Sequence, residues 1–297
     1  MLPDVQILRP DIPIRLNRVG VKGIKKLVEI EVGWRRPIVL ISTFDIFIDL
    51  PQDLKGANLS RNFEAIYIVL EKATEKPVKS IENLCIDIAK EVLKRHDYAE
   101  VAEVVMNSEL IVRKRTPVTN LRTEEIANIS CDVVMRKDGH RRVFIGVEVY
   151  GANACPCGQE LVKAKLNLKD IPLPTHNQRG KAMIKIEVKD RSPRIEELID
   201  IARSSMSSEV FELLKREDEL EVILRMHRNP RFVEDCVRIM AKKIAETFSD
   251  FPNETLIYIR QENEESIHQH NVVAELFTTL GEIREVLKHE ETRNNTN

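Results

Sequence analysis

An α+β fold, with antiparallel sheets backed by helices on one face, is what this sequence predicts. Three observations predict it. Apolar and polar residues alternate in several runs, such as Val143, Ile145, Val147 and Val149, and residues spaced by two share one face of a strand. Other stretches carry apolar residues at helical spacing, the strongest from Arg231 to about Phe248. Neither G-x-G-x-x-G nor G-x-x-x-x-G-K-[ST] occurs, so doubly wound nucleotide folds have no support.

Residues 1–18 hold three prolines and read as an extended arm. Val28, Ile30 and Val32 alternate with Glu29 and Glu31 in a first strand; Trp34-Arg35-Arg36-Pro37 turns the chain, and 38–50 form a second strand, together a hairpin. After the linker from Lys55 to Asn62, Ser60 suits a helix N-cap, with Phe63, Ile66, Tyr67 and Leu70 on the stripe that follows. A second helix covers about 80–96, and strands return near 101–113, 127–137 and 142–150. Beyond a loop, the run Ala182, Ile184, Ile186, Val188 is a strand, and helices are expected at 194–203, 207–216 and 231–248. A strand at 256–261, a polar bend, an apolar run at 272–277 and a frayed tail after about 288 complete the chain. The second half partly repeats the first, which suggests tandem units over 1–150 and 151–297.

The 297 residues can bury a full core, and a net charge of −2 with 32% charged residues gives no one-sign excess of the kind that marks nucleic-acid binders. No apolar run approaches the ~18 residues of a membrane span, and the N-terminus has no signal-like pattern, so a soluble, cytoplasmic protein is expected. Five irregularly spaced cysteines argue against a secreted disulfide framework. Cys85 and Cys236 fall on apolar helix positions and read as core.

The chemistry concentrates in Cys155-Pro156-Cys157-Gly158 and His176-Asn177-Gln178-Arg179, at the two ends of the loop between alternating runs. Thiols and an imidazole held by strands can bind a metal; a structural zinc site or free cysteines in an ordinary loop fit the same pattern. His268 and His270, two apart, would project from one face of an extended segment. Arg216-Glu217-Asp218-Glu219 reads as a solvated acidic knot after a helix, and Glu234 opens an amphipathic helix, where an acid suits either a pocket or the helix dipole.

Taken together and in order, these motifs resemble the GTP cyclohydrolases of type IB. Cys155-Pro-Cys157, His176-Asn-Gln-Arg179, Asp218-Glu219, Asn229-Pro-Arg-Phe-Val-Glu234-Asp235 and Glu265-Ser-Ile-His268-x-His270 carry the resemblance, with Val19-Gly-Val-Lys-Gly23, Lys55-Gly56, Ser60-Arg61 and Lys114-Arg-Thr-Pro-Val118 extending it over nearly the whole chain. The long loop between Cys157 and His176, and Glu217 where bacterial enzymes tend to carry proline, look most like the archaeal branch that serves methanopterin biosynthesis.

The resemblance implies a tunnelling fold of two tandem ββαα units, assembled as a homotetramer with sites at subunit interfaces. It implies one divalent metal per site, with Cys155, His176, Glu219 and His268 as ligands and Cys157 and His270 beside them in catalysis or proton transfer. Mixed sulfur, nitrogen and oxygen donors suit Zn²⁺ or Fe²⁺ and not Mg²⁺; the resemblance to the archaeal branch implies Fe²⁺ first, with Zn²⁺ or Mn²⁺ as alternatives. Glu234 maps onto the family's guanine-anchoring carboxylate, and Lys22, Arg61 and Arg179 are candidates for the triphosphate. The implied reaction opens the guanine imidazole ring of GTP at C8, releases formate, and gives 7,8-dihydroneopterin 2′,3′-cyclic phosphate with pyrophosphate. The bacterial-type product would be the triphosphate. A related nitrile reductase without a metal and a non-catalytic, metal-stapled scaffold are the rival readings.

Overall fold

A computed structural model describes residues 5–31, 37–75, 78–166 and 173–294. The expected turn at Trp34–Arg36, and Val32 before it, lie outside those residues. The chain divides into two compact units, Met1–Glu109 with Ser130–Ile145, and Leu110–Ile129 with Gly146–Asn297.

In the first unit, β1 (Leu16–Ile30) pairs antiparallel with β2 (Ile38–Leu50), placing Val28 opposite Leu40, and β2 pairs with the first part of β3 (Val101–Arg115). The strand thus begins within the last three residues of the stretch read as an arm. α1 (Ser60–Glu75) and α2 (Ile81–Arg95) pack together, and α1 lies on β1. Ser60 is the first residue of α1, whereas the Ser80 side chain caps α2 by accepting from the Asn83 N–H. Ile81, Leu84, Cys85, Ile88 and Val92 fill one stripe of α2, which is why periodicity found it. β4 (Arg122–Arg136) and β5 (Arg141–Ala154) each run through both units.

In the second unit, β6 (Asn177–Glu187), β8 (Leu256–Glu264) and β9 (Val272–Thr279) form successive antiparallel pairs, and the two-residue β7 (Ser208–Glu209) pairs with the end of β5. α4 (Ile195–Ser204) packs on β6, and α6 (Val233–Thr247) packs on β8, β9 and α4. This is the expected antiparallel sheet backed by helices. Three local expectations are corrected. The loop after Cys155 begins as helix α3 (Pro156–Leu166), with proline at the first helical position, where its missing N–H costs nothing. The helix expected at 207–216 is β7 and a loop; the acidic knot is instead the first turn of α5 (Arg216–Arg228), where negative charge suits the helix N-terminus. The tail is α7 (Leu280–Asn294).

One buried polar chain pins the first unit. His96, fully buried at the end of α2, meets Asn62 Oδ1 through Nε2 (2.7 Å) and the Tyr98 hydroxyl through Nδ1 (2.9 Å). Burial, aided by the nearby Arg61 guanidinium, pushes its pKa down from 6.5 to about 4. The folded state therefore keeps the ring neutral while the unfolded chain takes up a proton. The contribution is whole above pH 6.5 and declines as pH falls toward 4, by about 3 kcal/mol in all. Urea midpoints measured across that window are expected to fall more steeply for the wild type than for His96→Gln; equal slopes would clear His96 of the effect.

Candidate active site

The site is built where β5 ends and β6 begins. The Cys155 N–H donates to the His176 carbonyl (3.2 Å), and the Thr175 hydroxyl donates to the Cys155 carbonyl (2.9 Å). These two bonds bring the ends of the intervening segment together and set thiol beside imidazole. Cys155 immediately precedes α3, and its Sγ accepts from the Gly158 N–H (3.5 Å). Gly158 allows the approach: a Cβ there would stand 2.4 Å from Thr175 Oγ1 and 3.2 Å from His176 Cδ2.

His176 is oriented from behind. Its Nδ1 lies 2.6 Å from Gln178 Nε2 and 3.7 Å from a Glu265 carboxylate oxygen, and Gln178 Nε2 also donates to Glu265 (3.1 Å). Nε2 is the ring nitrogen left on the Gly158 side. With the Gln178 amide N–H on Nδ1, the neutral ring carries its hydrogen on Nε2 and offers the cleft a donor; binding a metal through Nε2 requires Nδ1–H to face the Glu265 carboxylate instead. After β8 the chain bends rather than staying extended, and His268 stacks on His270 with ring centres 5.3 Å apart and 15° between planes. His268 meets His176 edge-on at 6.5 Å between ring centres.

A cleft of about 470 Å³ gathers Cys155, Cys157, His176, His268, His270 and Glu234, with Gln178, Asn263 and Glu265 along its wall. A neighbouring groove of about 540 Å³, between α6, β9 and α7, holds Glu234 but none of the thiols or imidazoles. The first cleft is the chemical one. Two imidazoles sharing an ion at ~2.1 Å would have ring centres roughly 5–6 Å apart, so the His176–His268 spacing is compatible with a shared ion after a small closure. Thiol and imidazole donors together suit Fe²⁺ or Zn²⁺. Among the described residues, no three His, Cys, Asp or Glu side chains converge closely enough to hold an ion.

The remaining sequence candidates lie elsewhere. Glu219 is exposed in the first turn of α5. The far end of α5 reaches α3, where Gln159 Nε2 donates to the His227 carbonyl (2.7 Å); eight residues at ~1.5 Å each put Glu219 about 12 Å back along the axis. The carboxylate brought next to His176 is Glu265. Arg179 is exposed on β6, opposite Glu264. Lys22 and Arg61 belong to the first unit, where Lys22 lies 3.6 Å from Asp45 and Arg61 donates to the Arg95 carbonyl (2.7 Å). Sequence reasoning gave no role to Gln178, Asn263 or Glu265. A usable signal existed for the first two: each is a buried polar residue on the inward beat of a strand, a position its neighbours fill with Ala182 and Ile184 or Ile257 and Ile259.

The amino-acid chain matches, over residues 2–274, the family described as type I GTP cyclohydrolase folE2. It belongs to that family. Relatives named GTP cyclohydrolase MptA include that of Methanococcoides burtonii, 50% identical over 97% of both chains. That of Methanosarcina mazei is 48% identical over 95% of this chain and 96% of its own. Among solved structures, uricase from Arthrobacter globiformis aligns with a TM-score of 0.53 at 8% identity, covering 89% of this chain and 93% of that one. That likeness concerns fold alone and fits an antiparallel sheet backed by helices. In this cyclohydrolase family member, no helix among the described residues is long and apolar enough to cross a membrane.

Two of the motifs that suggested the family meet at Asp218. Its buried carboxylate accepts from the N–H groups of Val118 and Thr119 (both 2.9 Å), the Thr119 hydroxyl (2.5 Å) and the Lys215 N–H (3.1 Å). Burial alone would raise its pKa, but these donors outweigh burial and hold it well below the usual carboxylate range. Asp218→Asn, which turns an amide N–H₂ toward at least one of those donors, is expected to lower the urea midpoint while leaving the far-UV circular dichroism unchanged. An unaltered midpoint would show that the carboxylate is dispensable to the fold.

Proposed function

We propose that the protein is a metal-dependent GTP cyclohydrolase that opens the guanine imidazole ring at C8 and releases formate. In this reading it forms 7,8-dihydroneopterin 2′,3′-cyclic phosphate with loss of pyrophosphate. The observation that carries the proposal is the single cleft in which two thiols, three imidazoles and the Glu234 carboxylate meet. Family membership and the likeness to archaeal relatives support the substrate and the methanopterin branch.

Glu234 lies at the edge of the cleft in the first turn of α6, where its carboxylate can accept the two N–H groups on the amidine edge of guanine. Gln178 and Glu265 hold the His176 ring by Nδ1, so only Nε2 works in the cleft. His270 or Cys157 delivers the proton that the purine nitrogen needs as the C8–N bond breaks. Fe²⁺, Zn²⁺ or Mn²⁺, held by Cys155, His176, His268 and Glu219, would supply a Lewis acid able to make water a nucleophile near neutral pH. Lys22, Arg61 and Arg179 remain the candidates for countering the triphosphate. The order β1-β2-α1-α2 is echoed from β5 onward by β5-β6-α4-α6, with α3, β7 and α5 inserted, which supports two tandem tunnelling-fold units.

Since Glu219 is not among the residues that line the cleft of its own chain, it joins the site by coming from another copy. We therefore read the working enzyme as a homotetramer with sites between subunits.

Anaerobic, iron-loaded protein incubated with GTP is expected to release formate, with the pterin product identified by mass. Cys155→Ala and His176→Asn should abolish formate release with little change in assembly, and chelation should stop turnover without dissociating the oligomer. Wild-type rates in either variant would refute the metal assignment.

Co-expressing Cys155→Ala with Glu219→Ala chains tests the shared site. Random assortment restores about a quarter of sites if the two residues act from different subunits. Mixed oligomers as inactive as both parents would place both residues in one chain's site, and an active Glu219→Ala parent would remove Glu219 from it.

A further inference from the structure

Behind the cleft lies an amide network whose direction is set from one end. The Ser207 backbone N–H, which can only donate, bonds Asn153 Oδ1 (3.0 Å). Asn153 must then turn its Nδ2 the other way, and it donates to Asn263 Oδ1 (2.8 Å). Gln261 Nε2 donates to the same oxygen (3.0 Å), its own orientation marked by a long contact with the Glu262 carbonyl (3.5 Å). With Oδ1 doubly engaged, Asn263 has one free end, its amide nitrogen.

Asn263 is only 3% exposed, and the surface it does present borders the cleft that holds Glu234 and His176. No described residue accepts from its Nδ2. Two features show that the network is built for this orientation. A Cβ at Gly180 would stand 2.7 Å from Asn153 Nδ2 and 2.8 Å from Gln261 Nε2, so the backbone gives way to the amides. Gln261 Oε1, meanwhile, is buried without a partner, a cost borne while its nitrogen holds Asn263.

We infer that Asn263 is a specificity residue whose Nδ2–H donates to O6 of a guanine base in this cleft. The inference rests on the cyclohydrolase reading and deepens it. The edge of guanine shows two donors, the N2 amino group and N1–H, followed by one acceptor, O6. A carboxylate at Glu234 and a fixed amide donor at Asn263 are its complement. Adenine presents an amino group where guanine has O6, and would set donor against donor. A site built around a hydrogen bond rejects the analogue that cannot make it, because its own polar group is left unpaired.

Asn263→Asp is a near-isosteric test. It keeps an acceptor for Asn153 and Gln261 and replaces the donor with a second acceptor. Formate release at pH 8, where an aspartate is ionised, is compared for GTP and 6-thioguanosine triphosphate, which keeps N1–H and the 2-amino group but has a weaker acceptor at position 6. Loss of the donor is expected to lower kcat/KM for GTP about 10- to 100-fold. The thio analogue should change far less, so the wild-type preference for GTP collapses. Equal losses on both substrates would assign Asn263 a merely structural role, and no loss on GTP would remove it from recognition; either result overturns the inference. If the aspartate variant does not fold, Asn263→Ser is read by the same comparison. Absence of formate release by the wild type would defeat the cyclohydrolase reading itself, an outcome distinct from failure of the variant.

Discussion

Everything in the cleft depends on the backbone exchange between Cys155 and the Thr175–His176 pair. One residue beyond the end of β5, the N–H and the carbonyl of Cys155 are both taken by the chain returning twenty residues later. The first of these bonds joins backbone to backbone and leaves no rotamer to choose; the second comes from the Thr175 hydroxyl. The thiol is thereby committed to the start of α3 and the imidazole to the start of β6, on opposite sides of a glycine that has no room for a side chain. Cys155 and His176, placed beside strand ends, have their geometry set by the sheet, whereas His268 and His270 stand in the bend after β8.

Orientation is the second layer. His176 and Asn263 are both aimed by what lies behind them: the ring by Gln178 and Glu265, the amide by Asn153 and Gln261. These supporting groups sit at or near the inward positions of strands, in slots that would otherwise be apolar. Polar side chains there carry a desolvation cost that their partners offset in part, Gln261 Oε1 being left without one.

That arrangement explains what was legible in the sequence. α2, α4 and α6 bury a stripe and were found by it, and Cys155, Cys157, His176, His268 and His270 stood out because such residues are scarce and chemically distinct. α3 buries no side chain, and α5 buries only Asp218 and Met226, so neither has a stripe to detect. The false helix at 207–216 drew on apolar residues that serve other ends: Phe211, for one, lies under the Lys114 ammonium, 4.2 Å from its ring centre. Glu219 was singled out by resemblance alone, and it is not among the residues lining the cleft of its own chain. Gln178 and Asn263 were passed over because a lone polar residue in a strand gives no clue to its partners until the neighbouring strands are known.

The Asp218 carboxylate has a kinetic consequence as well. It ties the start of α5 to backbone 100 residues earlier, at Val118 and Thr119. A contact so distant in sequence must close a long stretch of chain before it yields any energy, and such closures slow folding. The 116–121 turn can form early from its own bonds between Thr116 and Leu121, but it is locked only once the helix arrives. During synthesis, the stretch that later completes this lock emerges well after the turn it secures, so the nascent chain passes through a stage in which that turn is shaped but unfastened.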